Sequence, residues 1–312
     1  MPSSIFASKL GANRAIFLVV MGLFSYFCAL EVMTRAEFIR ISSIQRRIHD
    51  DQTVAIHLRP TESDGRETVL LTGNSLLLLG VDSSKLRHEM LPGYLVHVLP
   101  IENTQYVDWY FGTRRLFAEG SRPAFLVLCL SPRQLIAGGT AGEYFAHYMM
   151  RGRDVLLVKK EAGLSMTMTS DFFFAHLSSW LGSRSEIRNW LLEELMPNIE
   201  NLTLYLPEKA VPMPPSDIVI REGLPRLQAM QQLCTNHGTQ FVFLIPPSLE
   251  PDQNAAIISA AAARIGITVL LPYQGGELPA DDFRDGFHLN PRGAALFTER
   301  LGPALARTMS KN

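Results

Sequence analysis

The chain has 312 residues, with 29 Lys and Arg against 30 Asp and Glu and a formal net charge of −1. A chain of that length buries one large core or two modest ones, and so even a charge balance excludes nucleic-acid binding by bulk electrostatics. Three cysteines, Cys28, Cys129 and Cys234, are an odd number without disulfide or metal spacing and read as buried free thiols.

Residues 15–33 form the most apolar window of the chain, from Ala15 through Leu30, with Val32 and Met33 extending it past Glu31. A membrane span needs about 20 such residues. No small-x-small cleavage site follows Cys28-Ala29-Leu30-Glu31, and no lipoprotein box precedes Cys28, so an uncleaved N-terminal anchor is favoured over a cleaved signal. Basic residues flank both ends: Lys9 and Arg14 on one side, Arg35, Arg40, Arg46 and Arg47 on the other. Charge therefore does not orient the span. From Arg35 to Arg66 the chain turns polar, with Ile39, Ile41, Ile44 and Ile48 loosely at helical spacing. It reads as a juxtamembrane helix and a connector through Pro60–Gly65.

A catalytic domain spanning 67–312 follows. Short apolar runs bounded by turn residues predict strands at Thr68–Leu71, Tyr94–Leu99, Ala124–Leu130, Gln240–Ile245 and Ile267–Leu271. Helical patterns fall between them at Ser83–Met90, Tyr106–Glu119, Glu222–His237 and Pro251–Ile265, the last with a proline in its first turn and Gly266 as its stop. Strands alternating with helices imply an α/β fold, a five-stranded, flavodoxin-like parallel sheet covered on both faces in three α/β/α layers. A helical insert of about 137–221 separates the third and fourth strands. In it Ser183-Arg184-Ser185-Glu186 has the form of a capping box. The aromatic run Asp171–Leu177 is expected to pack into the core, the alternative being a lid or docking surface. Asn201-Leu202-Thr203 matches the glycosylation acceptor pattern.

Two stretches carry chemistry. Val69–Leu71 runs into Gly73-Asn74-Ser75-Leu76, which puts a serine just past the carboxyl end of a central strand, where open α/β sheets bind ligands. Far along the chain, Asp285-Gly286-Phe287-His288 supplies an acid and a base, directly before Asn290-Pro291, a strong helix start. Serine, histidine and aspartate are the parts that activate a weak nucleophile, with His288 as base and Asp285 as its orienter.

These two blocks, in this order and at these ends of the domain, resemble the SGNH (GDSL-type) hydrolase superfamily over roughly residues 66–308. Its early Gly-Asp-Ser block carries the nucleophile and its late Asp-x-x-His block the other two triad members. Asn74 stands where that block has Asp. The resemblance implies catalytic roles for Ser75, Asp285 and His288. It also implies an oxyanion hole completed by a Gly after the second strand and an Asn after the third. This chain instead has Pro100-Ile101-Glu102-Asn103 and Ser131-Pro132-Arg133-Gln134. The Ser75 backbone N–H is one donor candidate, and Arg133 or Asn103 a second; Arg133 has an equal reading as a loop ion pair.

That departure, with a single anchor, is most similar to the membrane-anchored branch of the superfamily, including DltD-type proteins of teichoic-acid D-alanylation and partners of multi-span membrane O-acyltransferases. It implies acyl transfer to, or removal from, a polysaccharide or other cell-surface polymer, with the domain outside the cytoplasm. The alternatives are a conventional carboxylesterase on small or lipid esters and a non-catalytic binding protein of the same fold. No metal-ligand cluster, phosphate-cradling glycine loop or nicotinamide fingerprint is present in the sequence, so no cofactor or metal is expected. Gly73–Leu77 also fails the Gly-x-Ser-x-Gly pattern of the α/β-hydrolase elbow.

Overall fold

The computed structural model describes residues 4–91, 93–196 and 213–310. The glycosylation pattern at Asn201 lies outside them. Helix α1 (Ser4–Met33) leads through a π-helical turn at Thr34–Phe38 and a short turn at Ile39–Ile41 into α2 (Ser43–His57). The Ser42 hydroxyl caps α2 by accepting from Gln45 N at 3.2 Å. Then come β1 (Glu67–Gly73), α3 (Ser75–Gly80), α4 (Ser83–Met90), β2 (Tyr94–Pro100), α5 (Tyr106–Glu119), β3 (Phe125–Cys129) and α6 (Pro132–Ile136). The insert contributes α7 (Gly142–Tyr148), α8 (Val155–Glu161), α9 (Met166–Leu177) and α10 (Ser179–Leu195). The chain closes with α11 (Ser216–Thr235), β4 (Gln240–Leu244), α12 (Gln253–Ala263), β5 (Thr268–Leu270) and α13 (Pro291–Met309).

The five strands are parallel in the order β2-β1-β3-β4-β5. Alternation along β1 splits its side chains between two cores. Leu70 faces the larger, built with α2, α5, α11, α12 and the insert; Val69 and Leu71 face the smaller, built with α3, α4 and α13. This is the expected three-layer fold, and the crossover direction reverses between β1 and β3. The crevice at such a switch point lies outside the carboxyl ends of the strands.

Several local expectations give way to packing. Ile48, Ala55 and Leu58 are buried in the larger core, so the stretch that reads as a juxtamembrane helix and connector is part of the core it leads to. Helix α11 starts at Ser216 rather than Glu222 and runs through Pro225; its buried Val219, Gly223 and Leu227 hold it together although the proline removes a hydrogen bond. Helix α12 starts two residues after Pro251, capped by Asp252. Ser183 caps nothing: it lies inside α10, whose cap is Ser178, accepting from Leu181 N. In the aromatic run Phe172 alone of its three phenylalanines is buried, against Phe145, while Phe173 and Phe174 face outward. Cys129 and Cys234 are buried free thiols, but Cys28 is exposed on α1.

One glycine sets how closely β1 and β3 meet at the carboxyl edge. Gly73 pairs with Cys129, and a Cβ at Gly73 would stand 2.6 Å from the Cys129 carbonyl oxygen. Backbone cannot yield cheaply there. Gly73→Ala is expected to cost about 1–3 kcal/mol, as overpacking does, read as a lower urea midpoint with an unchanged denaturant slope.

Candidate active site

The serine is presented by a turn that needs both ends of one amide. Asn74 Oδ1 accepts from Leu76 N at 3.0 Å, capping α3, while Asn74 Nδ2 donates to the Thr104 carbonyl at 3.0 Å. An aspartate here would set a carboxylate against that carbonyl, which is a physical reason for the Asn that departs from the Gly-Asp-Ser pattern. Thr104 is itself fixed: its hydroxyl donates to Ile101 O at 2.6 Å and accepts from the Trp109 indole at 2.9 Å. Ile101 N donates to Gly73 O, prolonging the β1–β2 ladder to the turn that carries Ser75.

The histidine and its acid come from a pinched loop. Phe283 and Leu289 are buried in the smaller core and pair across its neck, with Arg284 N donating to His288 O at 2.7 Å. Gly286, at φ +77°, turns the tip in a region open to glycine. Asp285 Oδ1 accepts from His288 N at 2.7 Å and Phe287 N at 3.1 Å, and its Oδ2 accepts from the His288 ring Nδ1 at 2.8 Å. That partner fixes the proton on Nδ1 and leaves Nε2 to accept from the Ser75 hydroxyl at 3.0 Å. Partial burial pushes the Asp285 carboxyl up, but the backbone and ring hydrogen bonds from His288 and the bond from Phe287 N outweigh it and hold Asp285 below the usual carboxylate range. The Asp285 side chain is 48% exposed and that of His288 21%, so the site is open at the surface.

Thus Ser75, His288 and Asp285, which are far apart in the chain, form one hydrogen-bonded series. The proposed donors stand differently. Ser75 N, at the first position of α3, donates to no group among the described residues. Asn103 is exposed on the loop after β2 with φ +59°, the one non-glycine residue at positive φ among those described. Arg133 is exposed on the first turn of α6 and joins no ion pair among the described residues. Neither side chain hydrogen-bonds Ser75 or His288. Among the described residues no cluster of three or more His, Cys, Asp or Glu is arranged to hold a metal.

A residue that the sequence reading passes over organises the edge of this crevice. Asp108, fully buried in α5, accepts from Gln105 N at 2.7 Å and from Ala141 N at 2.9 Å. It ties the loop after β2 to the segment after α6. Its only signal in the sequence is its place at the third position of α5.

No family model matches the chain, and no curated protein does. Among solved structures, the chain is similar to TesA, at 14% identity over 77% of this chain and 98% of that one, with a TM-score of 0.36. It is also similar to a catalytic mutant of Axe2, an acetylxylan esterase from Geobacillus stearothermophilus, at 11% identity over 75% of this chain and 92% of that one, with a TM-score of 0.39. Scores this low define no family. The class comes from the chain itself: a parallel α/β domain with a hydrogen-bonded serine, histidine and aspartate at its switch point, preceded by an apolar helix.

Burial pushes the Asp108 carboxyl up to about 7 in spite of its hydrogen bonds, against an ordinary value of about 4. Folding therefore favours the protonated form. Its contribution to stability is complete below pH about 4 and is lost as the pH rises through about 7. Asp108→Asn, which turns an NH2 on one of the two backbone donors, is expected to cost about 1–3 kcal/mol. The gap between wild type and variant, measured as urea midpoints from acid to neutral pH, should be widest at acid pH and narrow toward neutrality; a constant gap contradicts the assignment.

Proposed function

We propose that the chain is a serine acyl-esterase or acyltransferase of the SGNH type, working at the membrane on O-acyl groups of a cell-surface polysaccharide or related polymer. The observation that carries this reading is the series Ser75 Oγ–His288 Nε2, His288 Nδ1–Asp285 Oδ2, at 3.0 and 2.8 Å. Ser75 Oγ attacks the acyl carbonyl carbon and its proton passes to His288 Nε2. Asp285, kept ionised by its three donors, stabilises the imidazolium through Nδ1–H. The developing oxyanion accepts from the uncommitted Ser75 N–H, and Asn103 or Arg133, flanking the crevice, adds a second donor once an ester is bound. The leaving alcohol takes the proton back from His288. Water or a second hydroxyl, giving its proton to His288 Nε2, then attacks the acyl carbon, and the proton returns to Ser75 Oγ as the ester bond to it breaks. Water is at about 55 M, and a held hydroxyl competes because positioning supplies effective molarities of 10⁵ M or more.

The membrane part of the reading is supported by α1, whose apolar window has a mean hydropathy of 2.2 and holds no buried residue. Glu31, near its end, accepts from Ser178 Oγ at 2.8 Å, Ser179 N at 2.9 Å and Trp180 N at 3.1 Å, tying α1 to the start of α10. Next to that joint, α9 carries an exposed stripe of Met166, Phe173, Phe174 and Leu177, spaced i, i+7, i+8, i+11 and opposite its buried Thr169, Phe172 and Ala175. An apolar face beside the exit of an apolar helix suits a bilayer surface. We read the domain as extracytoplasmic, with a multi-span membrane acyltransferase as the natural supplier of acyl groups.

Two measurements test this. A fluorophosphonate probe should label the full chain on Ser75. Ser75→Ala or His288→Ala should lower turnover of an activated acetyl ester on the order of 10⁶-fold, the pair scarcely further, and Asp285→Asn on the order of 10⁴-fold. Full labelling of His288→Ala would sink the triad. Isolated hydrolysis should be slow, and fast hydrolysis indifferent to any polymer acceptor moves the reading to plain esterase. For the anchor, spin labels at Phe24→Cys and Phe174→Cys, each introduced beside Cys28→Ser so that the exposed native thiol is not labelled, in liposome-reconstituted protein should both be shielded from aqueous relaxation agents. An aqueous signal at 24 removes the anchor; one at 174 alone removes the surface contact.

A further inference from the structure

The chain leaves α1 through a cluster of cations. Residues 15–33, at a rise of about 1.5 Å each, reach about 28 Å, close to the roughly 30 Å hydrocarbon thickness of a bilayer. On the anchor reading Arg35 therefore stands at headgroup depth, followed by the π-helical turn, the turn at Ile39–Ile41 and the start of α2. Ser42, extended at φ −69° and ψ 115°, bends the chain there. Arg46 Nη2 then donates back to the Arg40 carbonyl at 2.6 Å. The result is an open recess of about 550 Å³ whose described lining is Arg35, Arg40, Arg46 and His49.

The carboxylates nearby neutralise little of this charge. Glu31 accepts from Arg35 Nε at 2.6 Å, but it is also held by Ser178, Ser179 and Trp180 on the insert. Glu37 and Asp50 are exposed and pair with none of the four lining residues. Arg47 lies outside the lining, committed to Glu102 at 2.6 Å and to the Pro100 carbonyl at 2.7 Å. Arg40 and Arg46 are exposed and join no ion pair among the described residues. The bond from Arg46 to the Arg40 carbonyl thus gathers two uncompensated guanidinium groups around one recess, with most of their donors free. Water screens their repulsion, and an anion placed between them removes it. A guanidinium presents a planar fork of donors that matches two oxygens of a phosphate.

We infer that this recess binds the phosphate of an anionic phospholipid headgroup, with Arg40 and Arg46 as its forks and Arg35 and His49 completing the wall. The inference rests on the anchor reading for the position of the membrane and on nothing in the triad. Two observations choose a lipid over a soluble phosphate. The recess begins two residues past Met33, the last apolar residue of α1. Ile41 and Ile44, 54% and 52% exposed on the same bend, offer apolar contact to the upper part of an acyl chain. Basic residues interleaved with exposed apolar ones suit a segment lying in the membrane interface. A zwitterionic headgroup brings its own cation, which the arginines repel. Recognition is of headgroup charge, so it holds on whichever face of the membrane the domain stands. A lipid seated at this bend fixes the depth of the domain against the bilayer, beside the tie that Glu31 makes to α10.

The test titrates the full-length protein in detergent with phosphatidylglycerol, with phosphatidylcholine of the same acyl chains, and with glycerol phosphate, counting bound molecules by native mass spectrometry. Phosphatidylglycerol should bind saturably, more tightly than phosphatidylcholine, and less tightly as salt is added. The Arg40→Gln, Arg46→Gln pair should lower its affinity about 25-fold, roughly fivefold for each cation lost. The Arg40→Lys, Arg46→Lys pair keeps the charge without the fork and should lose less. Both side chains are exposed, so the thermal midpoint and fluorophosphonate labelling of Ser75 should be unchanged in either pair. Equal binding of the two lipids by the unaltered chain overturns the proposal, as does phosphatidylglycerol binding indifferent to the glutamine pair. Glycerol phosphate bound as tightly as the lipid overturns the membrane as the source and leaves a site for a soluble anion. Failure of the anchor is read separately, as an aqueous signal from the label at position 24.

Discussion

The two-sided hydrogen bond of Asn74 is the constraint on which the rest of the site depends. Its carbonyl caps α3 and its NH2 reaches across to Thr104, so the turn that presents Ser75 is held from its own helix and from the next strand's loop at once. The amide is buried, and a buried amide left half-paired is costly. Thr104 therefore has to stay where Trp109 and Ile101 hold it. A carboxylate at this position would serve the cap but not the crossing bond.

The histidine is controlled by different physics. Its loop is short, exposed and turned by a glycine, and it is positioned by its neck, where Phe283 and Leu289 are buried against α13 and α3. Asp285 then does two things: one oxygen closes the loop on backbone N–H groups and the other holds the imidazole tautomer. A loop that is closed by its own aspartate needs little else to pre-organise it, which is consistent with the exposure of both side chains.

The insert links the site to the proposed membrane. Glu31 docks on the first backbone N–H groups of α10, a favourable seat for a carboxylate at a helix N-terminus. Further along α10, Glu186 and Trp190 line a cavity of about 490 Å³ whose facing wall comes from Ile44, Gln45 and Ile48 in the segment leaving α1. One helix thus joins the apolar N-terminal segment at its start to the cavity further on. Any tilt of α1 relative to the domain would be felt first at this wall.

Much of this was legible in the residues alone. The five strands, the helices Ser83–Met90 and Tyr106–Glu119 and the three-layer fold follow from signals that act locally: apolar runs ended by turn residues, and caps. The grouping of Ser75 with Asp285 and His288 comes instead from the resemblance of their two blocks, taken together, to a known family. What the sequence could not decide depends on which distant surfaces meet. Ser183 has the form of a cap, yet packing carried α10 past it; Pro225 has the form of a break, yet burial carried α11 through it. The aromatic run divides between core and surface because helix phase, set by its neighbours, turns Phe172 inward and Phe173 and Phe174 out. Asp108 and the crossing bond of Asn74 pair groups tens of residues apart, and local patterns carry no record of such partners. The sequence by itself determined the elements and their chemistry; only tertiary structure decided which faces were buried, because burial belongs to pairs of surfaces and not to any one stretch of chain.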